Sequence, residues 1–161
     1  MKGVEGAWYF EQIELGYNFR MTDIHAALGA SQLKRVDQFV SKRRIIASKY
    51  QERLKEYPLL TPVEGEGCYS TCHLYVVRLK MQELKKRFID IFSTLRANGV
   101  EVGKHYIPIY MHPYYKNLGL KAEDFPNTIK YYQDSLTLPV FPDLTDNEFE
   151  IVLKELKSVL S

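Results

Sequence analysis

Two short segments bring together side chains that could bind a small anionic or sugar-containing ligand. The first is residues 16–23 (GYNFRMTD), and the second is residues 104–113 (KHYIPIYMHP). Both are expected on irregular backbone next to regular elements, where binding residues concentrate. They are therefore the sequence's candidates for a functional site.

The first segment has a possible phosphate contact and a possible anion contact. The amide of Asn18 can donate to a phosphate oxygen, and the Arg20 guanidinium can hold an anionic group with two parallel hydrogen bonds. In the structural alternative, Asn18 shapes a turn and Arg20 pairs with an acidic side chain. Residue chemistry by itself favours this structural alternative.

The second segment combines a histidine with several aromatic rings. His105 and Tyr106 could hydrogen-bond to a sugar hydroxyl or a phosphate, while the neighbouring rings offer a stacking wall. The alternative is a histidine whose hydrogen bonds are satisfied inside a small aromatic core. Residue chemistry leaves these two interpretations balanced.

A third cluster, Cys68, Cys72 and His73, has the ligand types of a metal site or a disulfide. No further ligands follow at the spacing of a four-ligand zinc site, so reduced thiols beside a strand are the favoured interpretation and no metal is expected. Common catalytic strings such as GxGxxG, GxxxxGK[ST], HExxH and GxSxG do not occur in the sequence.

Composition predicts a cytoplasmic globular protein. The 161 residues are 45% hydrophobic and 26% charged, with a formal net charge of +2. This balance gives no field that would attract nucleic acid or a membrane surface, and the basic run at residues 42–44 is interpreted as a solvated helix face. No apolar stretch approaches the length of a membrane-spanning helix.

The pattern of apolar residues predicts an α/β domain. After an aromatic lead-in, residues 1–21, helical spacing from Thr22 to Pro58 predicts one long helix or two abutting ones. Strands are predicted at residues 73–79, 100–106 and 136–140, the last as a short edge strand containing Pro139. We expect the aromatic stretch of this lead-in, Trp8 to Phe19, to be disordered or covered by an oligomer contact.

Three further helices are predicted between and after these strands. One carries apolar residues at helical spacing over residues 84–95 and stops at Gly99, and a short one begins at Pro126. The final helix begins with a capping box formed by Thr145 and Glu148, followed by a narrow apolar stripe.

Four ordered segments carry a resemblance to a known family: residues 16–33 (GYNFRMTDIHAALGASQL), 73–78 (HLYVVR), 99–108 (GVEVGKHYIP) and 136–145 (LTLPVFPDLT). Together they resemble the DegT/DnrJ/EryC1/StrS sugar aminotransferases. The form of residues 104–110 is most similar to members that act on UDP-linked 4-keto-6-deoxy amino sugars, such as the transaminase of the pseudaminic-acid pathway.

The resemblance implies an aspartate-aminotransferase-like, type I fold and the cofactor pyridoxal 5′-phosphate. Residues 1–21 would come from the large cofactor domain. Residues 22–161 would form the C-terminal small α/β domain, a short sheet packed with helices and preceded by the long helix. The family's active sites form at a dimer interface, so a homodimer is expected.

The resemblance also assigns roles to individual residues. Asn18 would reach the cofactor phosphate of the neighbouring subunit. The nucleotide-sugar substrate would be contacted by the remaining candidates, which are Tyr17, Arg20, Lys104, His105 and Tyr106. These are binding roles, and no catalytic residue is assigned.

The family's Schiff-base lysine lies in a Ser-containing stretch before the GYN motif, and no such stretch occurs here. Transamination needs that lysine to hold the cofactor and to move a proton. We therefore expect a fragment of an aminotransferase that moves an amino group, from glutamate, to a nucleotide-linked keto-sugar, and we expect it to be inactive alone. A non-catalytic sugar-nucleotide-binding or dimerisation module is the alternative. The sugar, its ring carbon, and a related dehydratase reaction stay open.

Overall fold

The computed structural model describes residues 14–17 and 19–161, and its contacts divide the chain into two compact units. The first unit is Met1–Arg35 and the second is Val36–Ser161. Most of the aromatic lead-in, including Trp8 and Phe10, lies outside the described residues, so the expectation of disorder or an oligomer contact there stays a prediction.

The first unit contains helix α1, Asp23–Leu33. Thr22 caps it as predicted, because its hydroxyl accepts a hydrogen bond from the backbone N–H of His25 at 3.3 Å. The predicted helix is present, but its apolar residues do not form a buried stripe. None of its residues is buried, and Ile24 and Leu28 are both exposed. Helical spacing fixes which side chains share a face, whereas burial needs a second surface to cover that face.

The second unit begins with α2, Val36–Arg53. Of the two predicted alternatives, one long helix or two abutting ones, the second is therefore observed. The remaining elements, in chain order, are β1 (Leu59–Leu60), β2 (Tyr75–Leu79), α3 (Phe88–Ala97), α4 (Pro113–Asn117), α5 (Pro126–Asp134), β3 (Ser135–Leu138) and α6 (Asp146–Leu160). Short 3-10 turns lie at Met81–Glu83, Ile109–Met111 and Ala122–Asp124.

The three strands form one antiparallel sheet in the order β1-β2-β3. Leu59 pairs with Leu79, and on the other side of β2 Tyr75 pairs with Leu138 and Val77 with Leu136. Side chains alternate along β2, so Tyr75, Val77 and Leu79 are buried while the two residues between them are only half-buried. The sheet therefore presents one face to the core.

Helices α2, α3 and α6 share a single apolar core with that face. The ring of Tyr50 lies 5.0 Å from that of Tyr75 and 4.7 Å from that of Phe149, and its hydroxyl donates to the Pro139 carbonyl at 3.0 Å. Burial raises the pKa of the Tyr50 phenol well above its ordinary value. One side chain thus joins α2, the sheet and α6.

The final helix follows its sequence prediction closely. The Thr145 hydroxyl accepts from the Glu148 backbone N–H at 3.2 Å, and the Glu148 carboxylate accepts from the Thr145 N–H at 2.8 Å. The predicted stripe is buried, and it consists of Phe149, Val152, Leu153, Leu156, Val159 and Leu160. Ion pairs such as Arg53–Glu150, 2.6 Å, join the exposed sides of α2 and α6.

The strand predicted at residues 100–106 is wrong. A hydrogen bond from the Val102 N–H to the Val100 carbonyl, 2.9 Å, closes a tight turn, and only Gly103 then meets the sheet. Val100 and Val102 are buried, which explains the strand-like pattern. Burial of alternate residues is therefore not sufficient evidence of strand pairing.

The edge strand predicted at residues 136–140 is observed as β3, which ends before Pro139. Proline cannot donate to a strand ladder, so pairing stops there. All four β3 residues are buried, and Gly103 bridges to Thr137 on the side of β3 away from β2. This bridge brings the second candidate segment to the sheet.

Candidate functional site

The first candidate segment lies on irregular backbone just before α1. Tyr17 is 86% exposed, and its ring lies 5.5 Å from that of Phe19. Arg20 is exposed as well, while Asn18 lies outside the described residues. Tyr17 and Arg20 belong to the first unit and residues 104–106 to the second, so a shared ligand site stays a prediction.

The second candidate segment is anchored to β3 through Gly103 and His105. The Gly103 N–H donates to the Thr137 carbonyl at 3.1 Å, and the Thr137 N–H donates to the Gly103 carbonyl at 2.9 Å. The Nδ1 atom of His105 lies 2.8 Å from the Thr137 hydroxyl oxygen, so one ring nitrogen is engaged. The other nitrogen, Nε2, is the one left for a ligand, as donor or acceptor according to the tautomer.

The glycine at position 103 leaves room for this imidazole. A Cβ atom at that position would lie 2.7 Å from His105 Cε1 and 3.2 Å from its Nδ1. Neither approach is compatible with normal van der Waals contact, so a side chain at position 103 would push the imidazole out of place. Gly103 is a site-shaping residue that the sequence prediction missed.

The sequence left open whether His105 belongs to an aromatic core or to a binding surface. The aromatic core exists, but it is formed by Tyr110, which is buried and stacks on Phe125 with ring centroids 5.4 Å apart and planes within 4°. His105 instead is half-buried and meets the edge of Tyr106, centroids 4.6 Å apart, whose side chain is 71% exposed. His105 and Tyr106 are thus not part of the Tyr110–Phe125 ring pair, and their binding roles stay a prediction.

The Lys104 side chain is half-buried, with its amine beside two aromatic rings. Its Nζ lies 3.6 Å from the centroid of the Phe88 ring, 4.6 Å from that of Tyr132 and 3.5 Å from the Ser135 carbonyl oxygen. Desolvation lowers the pKa of the Lys104 ammonium, and the negative charge of Asp134 partly opposes that effect. The amine therefore has protein partners on several sides.

Next to Lys104 lies an ion pair that the sequence gave no signal for. Arg78 of β2 donates to both oxygens of Asp134, from Nε at 2.9 Å and from a terminal nitrogen at 2.7 Å. The two residues are 56 positions apart, and the Asp134 side chain is only 17% exposed. The pair fixes the end of α5 against the sheet.

The cluster of Cys68, Cys72 and His73 does not assemble a metal centre. Cys68 and Cys72 are both free thiols. Within residues 14–17 and 19–161, no group of three or more His, Cys, Asp or Glu side chains is placed to hold a metal ion.

The loop that carries these cysteines, residues 61–74, is fastened by Arg44. Its guanidinium donates to both oxygens of Glu64, at 2.9 and 3.1 Å, and to the Ser70 carbonyl at 2.7 Å, and it covers the Tyr69 ring at 4.0 Å. Lys42 is also paired, with Asp143 at 3.2 Å. Two cations of the basic run at residues 42–44 thus have acidic partners, and all three residues of the run are half-buried rather than fully solvated.

Comparison with known protein families shows which family the chain belongs to. The profile of the DegT/DnrJ/EryC1/StrS aminotransferase family matches residues 1–157. The chain belongs to that family. The predicted α/β class is confirmed as well, because the family's solved structures share this fold.

Similar proteins of this family come from several bacteria. The chain is 34% identical to the spore coat polysaccharide biosynthesis protein SpsC of Bacillus subtilis, over 96% of this chain and 41% of SpsC. It is 30% identical to the UDP-4-amino-4,6-dideoxy-N-acetyl-beta-L-altrosamine transaminase of Campylobacter jejuni, over 95% of this chain and 40% of that protein. The chain thus spans about two-fifths of the length of these curated relatives.

The cofactor of the family is identified by a solved structure. Spr1654 of Streptococcus pneumoniae, in its pyridoxal-phosphate (PLP) form, superposes with a TM-score of 0.83 at 27% identity. The match covers 95% of this chain and 39% of that protein, which has also been solved in a PMP form. The family therefore uses pyridoxal 5′-phosphate, as the resemblance predicted.

Among the candidate residues, Lys104 does not fit covalent attachment of that cofactor. Lys104 is the one lysine among the candidate residues, and its amine is enclosed by two rings and a carbonyl. A lysine that forms an imine must reach the aldehyde carbon as a free amine. In residues 14–17 and 19–161, no helix is long and apolar enough to cross a membrane.

Proposed function

We propose that this chain is the substrate-facing C-terminal part of an aminotransferase that transfers an amino group, from glutamate, to a nucleotide-linked 4-keto-6-deoxy sugar. The observation that carries the proposal is the His105 imidazole, which Thr137 and Gly103 hold with Nε2 available beside an exposed Tyr106. The family match and the name of the Campylobacter jejuni relative support the same substrate class. The name of SpsC supports a place in polysaccharide biosynthesis.

We propose binding roles for the residues of both candidate segments. Arg20 and His105 would hold anionic or hydroxyl groups of the nucleotide sugar, since a guanidinium binds phosphate with parallel hydrogen bonds and an imidazole can donate or accept. Tyr17 and Tyr106 would supply ring contacts to the same ligand. Asn18 would donate to the phosphate of the cofactor in the neighbouring subunit of a homodimer.

We also propose that residues 1–21 belong with the large cofactor domain and residues 22–161 with the small domain. On this assignment the chain supplies substrate and cofactor contacts but not the lysine that holds the cofactor. The chain by itself is then catalytically silent. The enclosed position of Lys104 supports this silence, because that amine is not presented to an aldehyde.

The binding part of the proposal can be tested by calorimetric titration of the chain with UDP-N-acetylglucosamine and with UDP alone. We expect saturable binding that weakens at least about tenfold in Arg20→Ala and in His105→Ala, the loss of one charge-assisted contact. Lys130→Ala, an exposed lysine on α5, is the matched control and should bind as the parent chain does. Binding that is unchanged in both variants, or no binding at all, would contradict the proposed site.

The proposed lack of aminotransferase activity in the chain alone is tested separately. The chain is mixed with pyridoxal 5′-phosphate, reduced with borohydride and analysed by peptide mass spectrometry. We expect only scattered, substoichiometric modification of exposed lysines. A stoichiometric adduct at one lysine, or amino transfer from glutamate to the keto-sugar, would overturn the inactivity while leaving the binding proposal intact.

A further inference from the structure

The side chain of Lys104 ends in a cage formed by the Phe88 ring, the Tyr132 ring and the Ser135 carbonyl. Cations are attracted to an aromatic face within about 6 Å, and the attraction strengthens as water is removed. Both ring distances, 3.6 and 4.6 Å, fall inside that limit. The ammonium therefore has favourable contacts without any ligand.

The three walls of the cage come from three different elements. Phe88 is the first residue of α3, Tyr132 lies in α5, and Ser135 is the first residue of β3. A lysine held by all three pins the segment that carries it at the point where these elements meet.

Lys104 also lies between the two contacts that orient His105. Gly103, on one side, exchanges two backbone hydrogen bonds with Thr137, and His105, on the other, meets the Thr137 hydroxyl at 2.8 Å. Three consecutive residues are thus attached to the region of β3, through backbone, ammonium and imidazole in turn. Release of the middle attachment would free the imidazole to rotate away from Thr137.

The nearby carboxylate does not compete for this role. Asp134 contributes a favourable charge to Lys104, but both of its oxygens accept hydrogen bonds from Arg78 at 2.9 and 2.7 Å. A phosphate of a ligand would have to draw the ammonium away from its rings and its carbonyl to bind it. That exchange costs contacts already made, so direct ligand binding by Lys104 is disfavoured.

We infer that Lys104 is a positioning residue: its caged ammonium fixes residues 103–105 on β3 so that His105 keeps its hydrogen bond to Thr137. This replaces the direct substrate contact that the family resemblance implied for Lys104. The orienting role concerns the free protein, and only its effect on ligand affinity rests on the proposed function.

The first test needs no ligand. Long-range proton–nitrogen NMR spectra of the imidazole report the His105 tautomer and its hydrogen bond. We expect Lys104→Met to shift the His105 signals toward those of a freely rotating imidazole and Lys104→Arg to restore them, because a guanidinium also stacks on aromatic faces. Lys130→Met, a matched change at an exposed lysine of α5, should leave them unchanged.

A second variant removes a ring that contacts Lys104 and leaves the lysine in place. Tyr132→Leu removes one ring and keeps the lysine, so it should move the His105 signals in the same direction as Lys104→Met. The double variant should add little, since both changes disrupt one interaction. Tyr132→Leu also serves where Lys104→Met fails to fold. Unshifted His105 signals in Lys104→Met, or in Tyr132→Leu where that variant is needed, would overturn the inference.

A ligand arm separates positioning from direct contact. If UDP-N-acetylglucosamine binds, Lys104→Met should weaken it severalfold in the parent chain and add no further loss in a His105→Ala background. Additive losses would show direct contact and would overturn the inference. If the sugar nucleotide does not bind at all, the proposed function fails while the NMR result still decides the role of Lys104.

Discussion

Arg78 on β2 holds the carboxylate of Asp134, the last residue of α5, through two hydrogen bonds of 2.9 and 2.7 Å. Two residues close to Asp134 in the sequence contact the Lys104 amine. They are Tyr132, two positions before it, and Ser135, the next residue. A sheet residue thereby sets the position of the helix end that surrounds Lys104.

Arg78→Lys should lower the free energy of unfolding by about 1–3 kcal/mol, because a lysine cannot make both hydrogen bonds and the partner is largely buried. Arg87→Lys is the matched control. Arg87 also makes two hydrogen bonds to an aspartate, Asp90, but its side chain is 80% exposed, so the loss should stay within about 0.5 kcal/mol. Equal losses in urea unfolding would contradict this difference.

Gly103→Ala tests the space reserved for His105. The added methyl would lie 2.7 Å from the His105 ring, so the imidazole should leave Thr137 and the His105 NMR signals should move. Sugar-nucleotide affinity should fall as far as it does in His105→Ala. Gly29→Ala, on α1, meets no atom within 4 Å and should change neither quantity. An unmoved imidazole in Gly103→Ala would show that the backbone yields instead.

Glu148 should contribute to the loss of stability in acid. Hydrogen bonds from the Thr145 backbone and then from its hydroxyl hold the pKa of Glu148 below its ordinary value. A carboxylate with a lowered folded-state pKa binds fewer protons than in the unfolded chain, so its stabilisation is present above the unfolded pKa of about 4.3 and is lost as pH falls through the folded pKa. Glu148→Gln should therefore make the acid limb of the stability curve shallower.

The measurement for Glu148 is urea unfolding between neutral pH and the acid limb. Glu66→Gln, at an exposed carboxylate of the 61–74 loop, is the control. An acid limb that is equally steep in Glu148→Gln and in the parent chain would show that the capping box does not carry this dependence.

The core stripe of α6 predicts a contrast within one helix. Leu156 is fully buried, whereas Ile151 is 44% exposed. Leu156→Ala should cost about 2–5 kcal/mol through lost burial and the cavity left behind, and Ile151→Ala should cost less than about 1 kcal/mol. Thermal and urea unfolding of the two variants check the contrast. A larger loss of unfolding free energy in Ile151→Ala than in Leu156→Ala would contradict the assignment of Leu156 to the buried face of α6.

Local signals in the sequence were sufficient where a short stretch determines its own structure. The Thr145–Glu148 capping box and the stripe that follows define α6, and Gly99, with a φ of 82°, ends α3 as predicted. The strand predicted at residues 73–79 is observed as β2, Tyr75–Leu79, and the start of α5 at Pro126 is likewise confirmed. Each of these features depends on residues that are close to one another in the sequence.

The sequence was insufficient where distant residues decide the outcome. The two-residue strand β1 exists only because β2 pairs with it, and the Arg78–Asp134 pair joins residues 56 positions apart. The buried valines at positions 100 and 102 looked like a strand, but the turn between them leaves only Gly103 for pairing. Gly103 was missed because the His105 ring lies close to it only when that ring is bonded to Thr137, 32 positions further along the chain.

The short β1 strand and the Gly103 bridge have a further consequence for how this protein behaves at high concentration. Exposed strand edges template the addition of strands from other molecules and so lead to aggregation. Within the part of the chain that the structure describes, β1 offers two residues with Pro62 close behind, and the far side of β3 is already occupied at Thr137. Both margins of the described sheet thus offer few consecutive backbone groups to which a strand of another molecule could pair.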